Sequence, residues 1–138
     1  MTSLEQKNTQ RVVEFFATLS RGDLVHLKTF LTPDASWTPM VSGVPGEGAH
    51  VGRDAIIDGF LAPVRGLFEP GDPKVRIDQL SAQGSLVYAE THATGRVRAN
   101  GKKYENRYCW AFEFQDGQIR TIREYMDSAY VMRTLFGT

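Results

Sequence analysis

One cysteine in 138 residues, Cys109, leaves no partner for an internal disulfide, the pattern of a chain kept in a reducing compartment. No apolar run approaches the roughly 20 residues that span a bilayer. The opening Met1-Thr-Ser-Leu-Glu-Gln-Lys also lacks the apolar core of a signal peptide. A cytoplasmic protein without a membrane partner is therefore expected. An excess of either charge is missing too: sixteen basic side chains balance sixteen acidic ones, so no net field draws in nucleic acid, anionic lipid or an acidic substrate. Histidine is sparse. His26, His50 and His92 lie far apart and none has metal-ligand spacing, so no metal is expected. Phosphate-cradling loops, a dinucleotide fingerprint, a Gly-x-Ser-x-Gly elbow and a cysteine–histidine pair are all lacking, which argues against a nucleotide cofactor and against covalent catalysis. No cofactor is expected.

What is present reads as a single domain over residues 1–138, long enough to bury one core. Ser3-Leu4-Glu5-Gln6 has capping-box spacing, and Val12, Val13, Phe15, Phe16 and Leu19 recur at helical intervals as far as Arg21-Gly22. Asp23 caps a shorter second helix carrying Leu24, Leu27, Phe30 and Leu31, which Pro33 stops. Ala35 to Thr38 reads as a strand. Pro39 to Gly48, with two prolines and three glycines, reads as a mobile loop at a pocket lip. A third helix runs from Arg53-Asp54 to about Phe68, bent or split by Pro63, and Glu69-Pro-Gly-Asp-Pro closes it. Strands over 75–80, 85–98, 103–114 and 119–126 follow, separated by glycine-containing turns. Helices first and an antiparallel meander second is the α+β pattern, with the helices covering one face of the sheet.

Asn100-Gly101 suits a two-residue type I′ turn. Counting from it sets Val87, Ala89, Thr91 and Ala93 opposite Phe114, Phe112, Trp110 and Tyr108 on one face, which is the inside. The other face, with Tyr88, Glu90, His92 and Arg107, is too charged for a dry core. Asp116-Gly117 permits two registers. A two-residue turn points Arg123 inward, whereas a three-residue loop with a glycine bulge places Ile122 opposite Trp110 and Glu124 opposite Tyr108. The bulged register leaves the guanidinium of Arg123 in water and is favoured on desolvation grounds.

The chain resembles the cystatin-like α+β cone shared by nuclear transport factor 2, steroid ketoisomerases, limonene epoxide hydrolase and SnoaL-like polyketide cyclases. The likeness is carried by Arg21-Gly22-Asp23-Leu24, by Gly52-Arg53-Asp54-Ala55-Ile56, and by the run from Tyr104-Glu-Asn-Arg-Tyr through Phe114-Gln-Asp-Gly-Gln-Ile to Glu124-Tyr-Met-Asp127. The resemblance implies N-terminal helices packed on a strongly curved antiparallel sheet that forms a cone with an internal pocket. The catalytic positions of the ketoisomerases fall on Phe15, Trp110 and Pro39, and those of the epoxide hydrolase on Thr91, Ala93 and Glu124. Only the last keeps a carboxylate.

Glu124 among Trp110, Ile122 and Met126 is thus the candidate general base, its pKa raised by lost hydration. Tyr108 is placed to donate to it or to a substrate oxygen, and Asn106 to orient a carbonyl. Trp37, Trp110, Phe15, Phe60, Thr91, Ile122 and Met126 are the candidate pocket wall, and His50 is the histidine within reach of a ligand. His92 falls on the outer face. That face, with Tyr88, Tyr125, Thr121, Cys109 and Ala111, has the composition of a self-associating surface, so a homodimer is expected. Two functions stand side by side: a cofactor-independent isomerase-, cyclase- or hydrolase-like enzyme acting on an apolar small molecule, and a non-catalytic binder of one. A protein-interaction adaptor fits less well, because the inward face keeps polar groups.

Overall fold

The computed structural model describes residues 1–137. Helix α1 (Ser3–Arg21) is capped one residue earlier than the spacing of Ser3 predicts. The Thr2 hydroxyl accepts from the Glu5 amide at 3.1 Å, and the Glu5 carboxylate accepts from the Thr2 amide at 2.7 Å. The helix ends where Gly22 turns left-handed, at φ 74°. Asp23 caps α2 (Leu24–Leu27), which tightens into a 3-10 turn over Lys28–Phe30 and stops short of Leu31. Leu31 is instead the first residue of β1 (Leu31–Pro39), where it pairs with Ile119. Pro33, which has no amide to donate, falls in the irregular stretch between Leu31 and Ser36.

The loop after β1 returns through the short β2 (His50–Val51), which pairs with Ser36 and Trp37 and was not visible in the sequence. The third helix is composite, a π-helical turn over Ala55–Leu61 running into α3 (Ala62–Arg65). The strands β3 (Lys74–Gln83), β4 (Leu86–Arg96), β5 (Lys103–Gln115) and β6 (Gln118–Met126) form the expected meander. The six-stranded sheet has the order β2-β1-β6-β5-β4-β3. Its β1–β6 pair is parallel, a departure from an all-antiparallel sheet. A final helix, α4 (Ser128–Leu135), is capped by Asp127.

Both hairpins correct the predicted registers. At the first, Val97 bonds Lys102 across a four-residue loop, and within that loop only Gly101 has positive φ. Asn100 spends its side chain on the Lys102 amide, at 2.9 Å, instead of adopting a left-handed backbone. Each pair on β4 and β5 therefore moves by two residues: Thr91 faces Tyr108, Ala89 faces Trp110 and Val87 faces Phe112. An even shift keeps every side chain on its predicted face.

At the second hairpin Asp116 (φ 50°) and Gly117 (φ 81°) make a two-residue turn, yet the register slips between Phe114 and Glu113. The extra residue is Arg120. Ile119 and Ile122 are both fully buried and stand three apart, so a regular strand would send one of them outward. A bulge at exposed Arg120 turns both inward and leaves the guanidinium in water. Neither predicted register holds: Glu124 faces Trp110 and Met126 faces Tyr108. The inward direction of Glu124 follows from the bulge.

The core lies between α1 and the inner sheet face. Phe15 meets Phe16, Phe30 and Phe112 edge-on, at centroid distances of 5.3, 6.1 and 5.3 Å. A second, smaller cluster of Phe68, Ala93, Val97 and Tyr104 sits at the other end of the sheet, under Tyr130 and Leu135 of α4.

Candidate functional site

Between the two clusters the inner face of the sheet, the composite helix, the loop after β1 and α4 enclose a cavity of about 110 Å³. One water occupies roughly 10–15 Å³ on this measure, so the space takes a small organic molecule. Trp37, Trp110, Phe60 and Met126 form apolar wall, and Val44 and Pro45 of the loop close one side. The loop is tied to the body of the protein: His50 Nε2 bonds the Gly46 carbonyl at 2.7 Å, and its ring stacks on Phe60 at 4.2 Å.

Among the described residues Glu124 is the only carboxylate lining the cavity. Trp37 Nε1 donates to its Oε1 at 2.9 Å, and no cation pairs with it among the described residues. Loss of hydration pushes its pKa up from 4.5 to about 7, and the indole bond offsets part of that rise. A carboxyl poised near neutrality can take up and return a proton under ordinary conditions. Beside it Tyr108 stacks on Trp110, and its hydroxyl lies 2.6 Å from that of Tyr104. Burial raises both phenols, Tyr104 to about 12, so both stay protonated donors. Trp110 Nε1 donates to Thr91 Oγ1 at 3.0 Å, leaving the indole face to the cavity.

Seven of the expected site residues thus converge on one space: Glu124, Tyr108, Trp37, Trp110, Phe60, Thr91 and Met126. Four do not. Phe15 and Ile122 are wholly enclosed between α1 and the sheet, one layer behind the wall. Asn106 is committed elsewhere. Its Oδ1 accepts from the Arg107 amide at 2.8 Å and its Nδ2 donates to the Tyr104 hydroxyl at 3.1 Å, so its amide is not free for a ligand carbonyl. His50 stands outside, against the far side of Phe60.

The sequence reading missed Tyr104, Arg65 and the α4 residues Val131 and Leu135, all of which reach the cavity. Tyr104 shares the alternating face of Tyr108 and Trp110, a legible signal. So was the Asp127 cap four residues before Val131 and eight before Leu135. Arg65 carried no sequence signal. Its guanidinium donates to the Pro73 carbonyl at 3.3 Å, and burial lowers its pKa against the pull of Asp72. Among the described residues no cluster of three or more His, Cys, Asp or Glu side chains is placed to hold a metal ion, and no helix is long and apolar enough to cross a membrane.

The family described as SnoaL-like domain matches residues 12–122. The chain belongs to the SnoaL-like domain family. No curated protein matches it. Among solved structures, a nuclear transport factor 2-like protein from Burkholderia xenovorans LB400 is 28% identical, with 95% of this chain and 97% of that one covered at a TM-score of 0.75. A protein described as a SnoaL-like polyketide cyclase from Jannaschia sp. CCS1 is 18% identical over 100% and 97% of the chains, at a TM-score of 0.83. TerC, co-crystallised with polyporic acid, is 17% identical over 96% and 99%, at 0.82. These likenesses place the SnoaL-like domain in the nuclear transport factor 2-like fold, an α+β cone with an unclosed six-stranded sheet.

Proposed function

We propose that this SnoaL-like domain is an enzyme of isomerase, cyclase or hydrolase type that moves a proton on a hydrophobic, carbonyl-bearing small molecule. Glu124 is the base and Tyr108 the donor to the carbonyl oxygen. The observation that carries this reading is a carboxylate raised to about 7 in an apolar cavity, held among the described residues by one neutral donor and no cation. In the proposed step Glu124 takes a proton from the carbon beside the carbonyl and the bond electrons move to oxygen. The proton then returns from Glu124 to the same or a conjugated carbon. The carboxylate and the phenol together supply what the step requires, so no cofactor is invoked. Hydrophobic ligands suit the wall, and the fold neighbour TerC was crystallised with polyporic acid.

Incubation of β-tetralone with the protein in D2O tests the reading by NMR. Exchange beside the carbonyl is expected to exceed the buffer rate and to rise with one ionisation at about pH 7. Trp37→Phe removes the indole donor that lowers the pKa of Glu124, so the midpoint should move upward. A rate no higher than in buffer across a panel of cyclic ketones rejects the enzyme reading. One observation favours sequestration without turnover as the second reading: the wall's polar groups already bond one another, as Thr91 does with Trp110. Ligand retention on native mass spectrometry without exchange would select it.

Two copies are proposed to pair through the outer sheet face, where Tyr88 and Tyr125 are 38% and 44% exposed. His92 is anchored there between Asp78, at 2.5 Å, and Arg107, at 3.1 Å. A groove of about 460 Å³ runs along this face past Glu90 and Cys109. Sedimentation at micromolar concentration should give a dimer, and a monomer would reject the pairing.

A further inference from the structure

We infer that Tyr104 fixes the direction of a hydrogen-bond relay, Asn106 to Tyr104 to Tyr108, whose free end is a Tyr108 hydroxyl proton aimed at an oxygen of the ligand. The inference deepens the proposed function. It selects ligands that present a carbonyl, enolate or phenolate oxygen beside Tyr108, and it makes Tyr104 a positioning residue.

The direction follows from counting donors. Asn106 Oδ1 is taken by the Arg107 amide, so its orientation is fixed and Nδ2 donates to the Tyr104 oxygen at 3.1 Å and to the Asp127 carbonyl at 3.4 Å. Tyr104 is 1% exposed and packs edge-on to Phe68. Among the described residues its hydroxyl has one further neighbour, Tyr108 Oη at 2.6 Å. If Tyr108 donated across that contact, Tyr104 would keep a buried O–H with no acceptor, a costly arrangement. Tyr104 therefore donates and Tyr108 accepts.

The Tyr108 proton is then left over. Tyr108 lines the cavity, and among the described residues its hydroxyl meets Tyr104 and the Asn106 amide, which both donate, so no acceptor takes its proton. A phenol that accepts one hydrogen bond donates a stronger one, because successive bonds polarise each other. Negative charge developing on a ligand oxygen would be stabilised by this donor while Glu124 holds the proton it has removed.

Paired affinities for a dinitrophenolate and for nitrobenzene test the relay. At about pH 6 Glu124, with a pKa of about 7, is mostly protonated and does not repel the anion. The wild-type protein should prefer the phenolate, and Tyr108→Phe should abolish that preference. Tyr104→Phe should weaken the phenolate about five- to tenfold and leave nitrobenzene unchanged. Equal loss of both ligands, or loss of neither, overturns the relay while leaving Tyr108 as a donor. A wild-type protein with no preference overturns the oxygen-directed reading of the cavity as well. Should Tyr104→Phe fail to fold, wild-type protein carrying 13C at tyrosine Cζ decides the matter. The Tyr104 and Tyr108 signals moving together with phenolate, and neither with nitrobenzene, supports the relay, and Tyr108 moving alone overturns it.

Discussion

Glu124→Gln is expected to slow hydrogen exchange of a bound ketone by at least about 100-fold, the lower end of what a positioned general base contributes, while ligand affinity stays within about threefold. The amide has the size of the carboxyl, and its oxygen can still accept from Trp37 Nε1, now 2.9 Å from Oε1. The cavity wall is therefore preserved and only basicity is lost. Among the described residues no other carboxylate lines the cavity to take over, and the two phenols are too weak as bases, burial having raised both. NMR exchange rates measured beside the affinity of the same ketone separate the readings. Unchanged exchange in the variant would remove Glu124 from the chemistry. Affinity lost in parallel with exchange would make it a binding group instead.

The fold was legible because period and punctuation agreed along most of the chain. The alternation Tyr104, Asn106, Tyr108, Trp110, Phe112 fixed one inward face of β5, and an even register slip at Asn100-Gly101 could not change it. Where Glu124 points was decided less directly. It depends on an odd slip, and the deciding pair was Ile119 and Ile122, whose three-residue spacing forces a bulge once both must be buried. The turn residues Asp116 and Gly117 form a tight turn that by itself would set Arg123 opposite Trp110, and the added residue at the bulge brings Glu124 there instead. Depth within the inward face was not legible. Phe15 and Trp37 are both inward aromatics, yet Phe15 projects from α1 into the packed core against the sheet while Trp37 reaches the cavity, a distinction set by the position of the helix over the sheet. Asn106 shows a similar limit. Its inward direction was readable, but the tertiary neighbours that consume its amide were not.

A carboxyl held near neutrality also weakens the folded state, and the second large effect is a stability cost that grows with pH. In the unfolded chain Glu124 ionises at its ordinary 4.5, whereas in the fold it ionises at about 7. Below 4.5 both states carry the proton and Glu124 contributes nothing to the pH dependence. Between 4.5 and about 7 the folded protein keeps a proton that the unfolded chain has released, so raising the pH favours unfolding. Above about 7 both states are ionised and the full penalty stands. The difference corresponds to at most about 3 kcal/mol, reduced to the extent that water in the cavity hydrates the carboxylate. Asp78 and Glu5 act in the opposite sense, since their bonds to His92 and to Thr2 lower their pKa values and are lost only on acidification. Subtracting Glu124→Gln from wild type cancels them. Urea unfolding of both proteins should give Glu124→Gln a stability advantage that is larger at about pH 8 than at about pH 4, by on the order of 2–3 kcal/mol. A difference that stays flat across that range would mean the folded carboxyl ionises as in the open chain, and the base proposed for the reaction would lose its physical support.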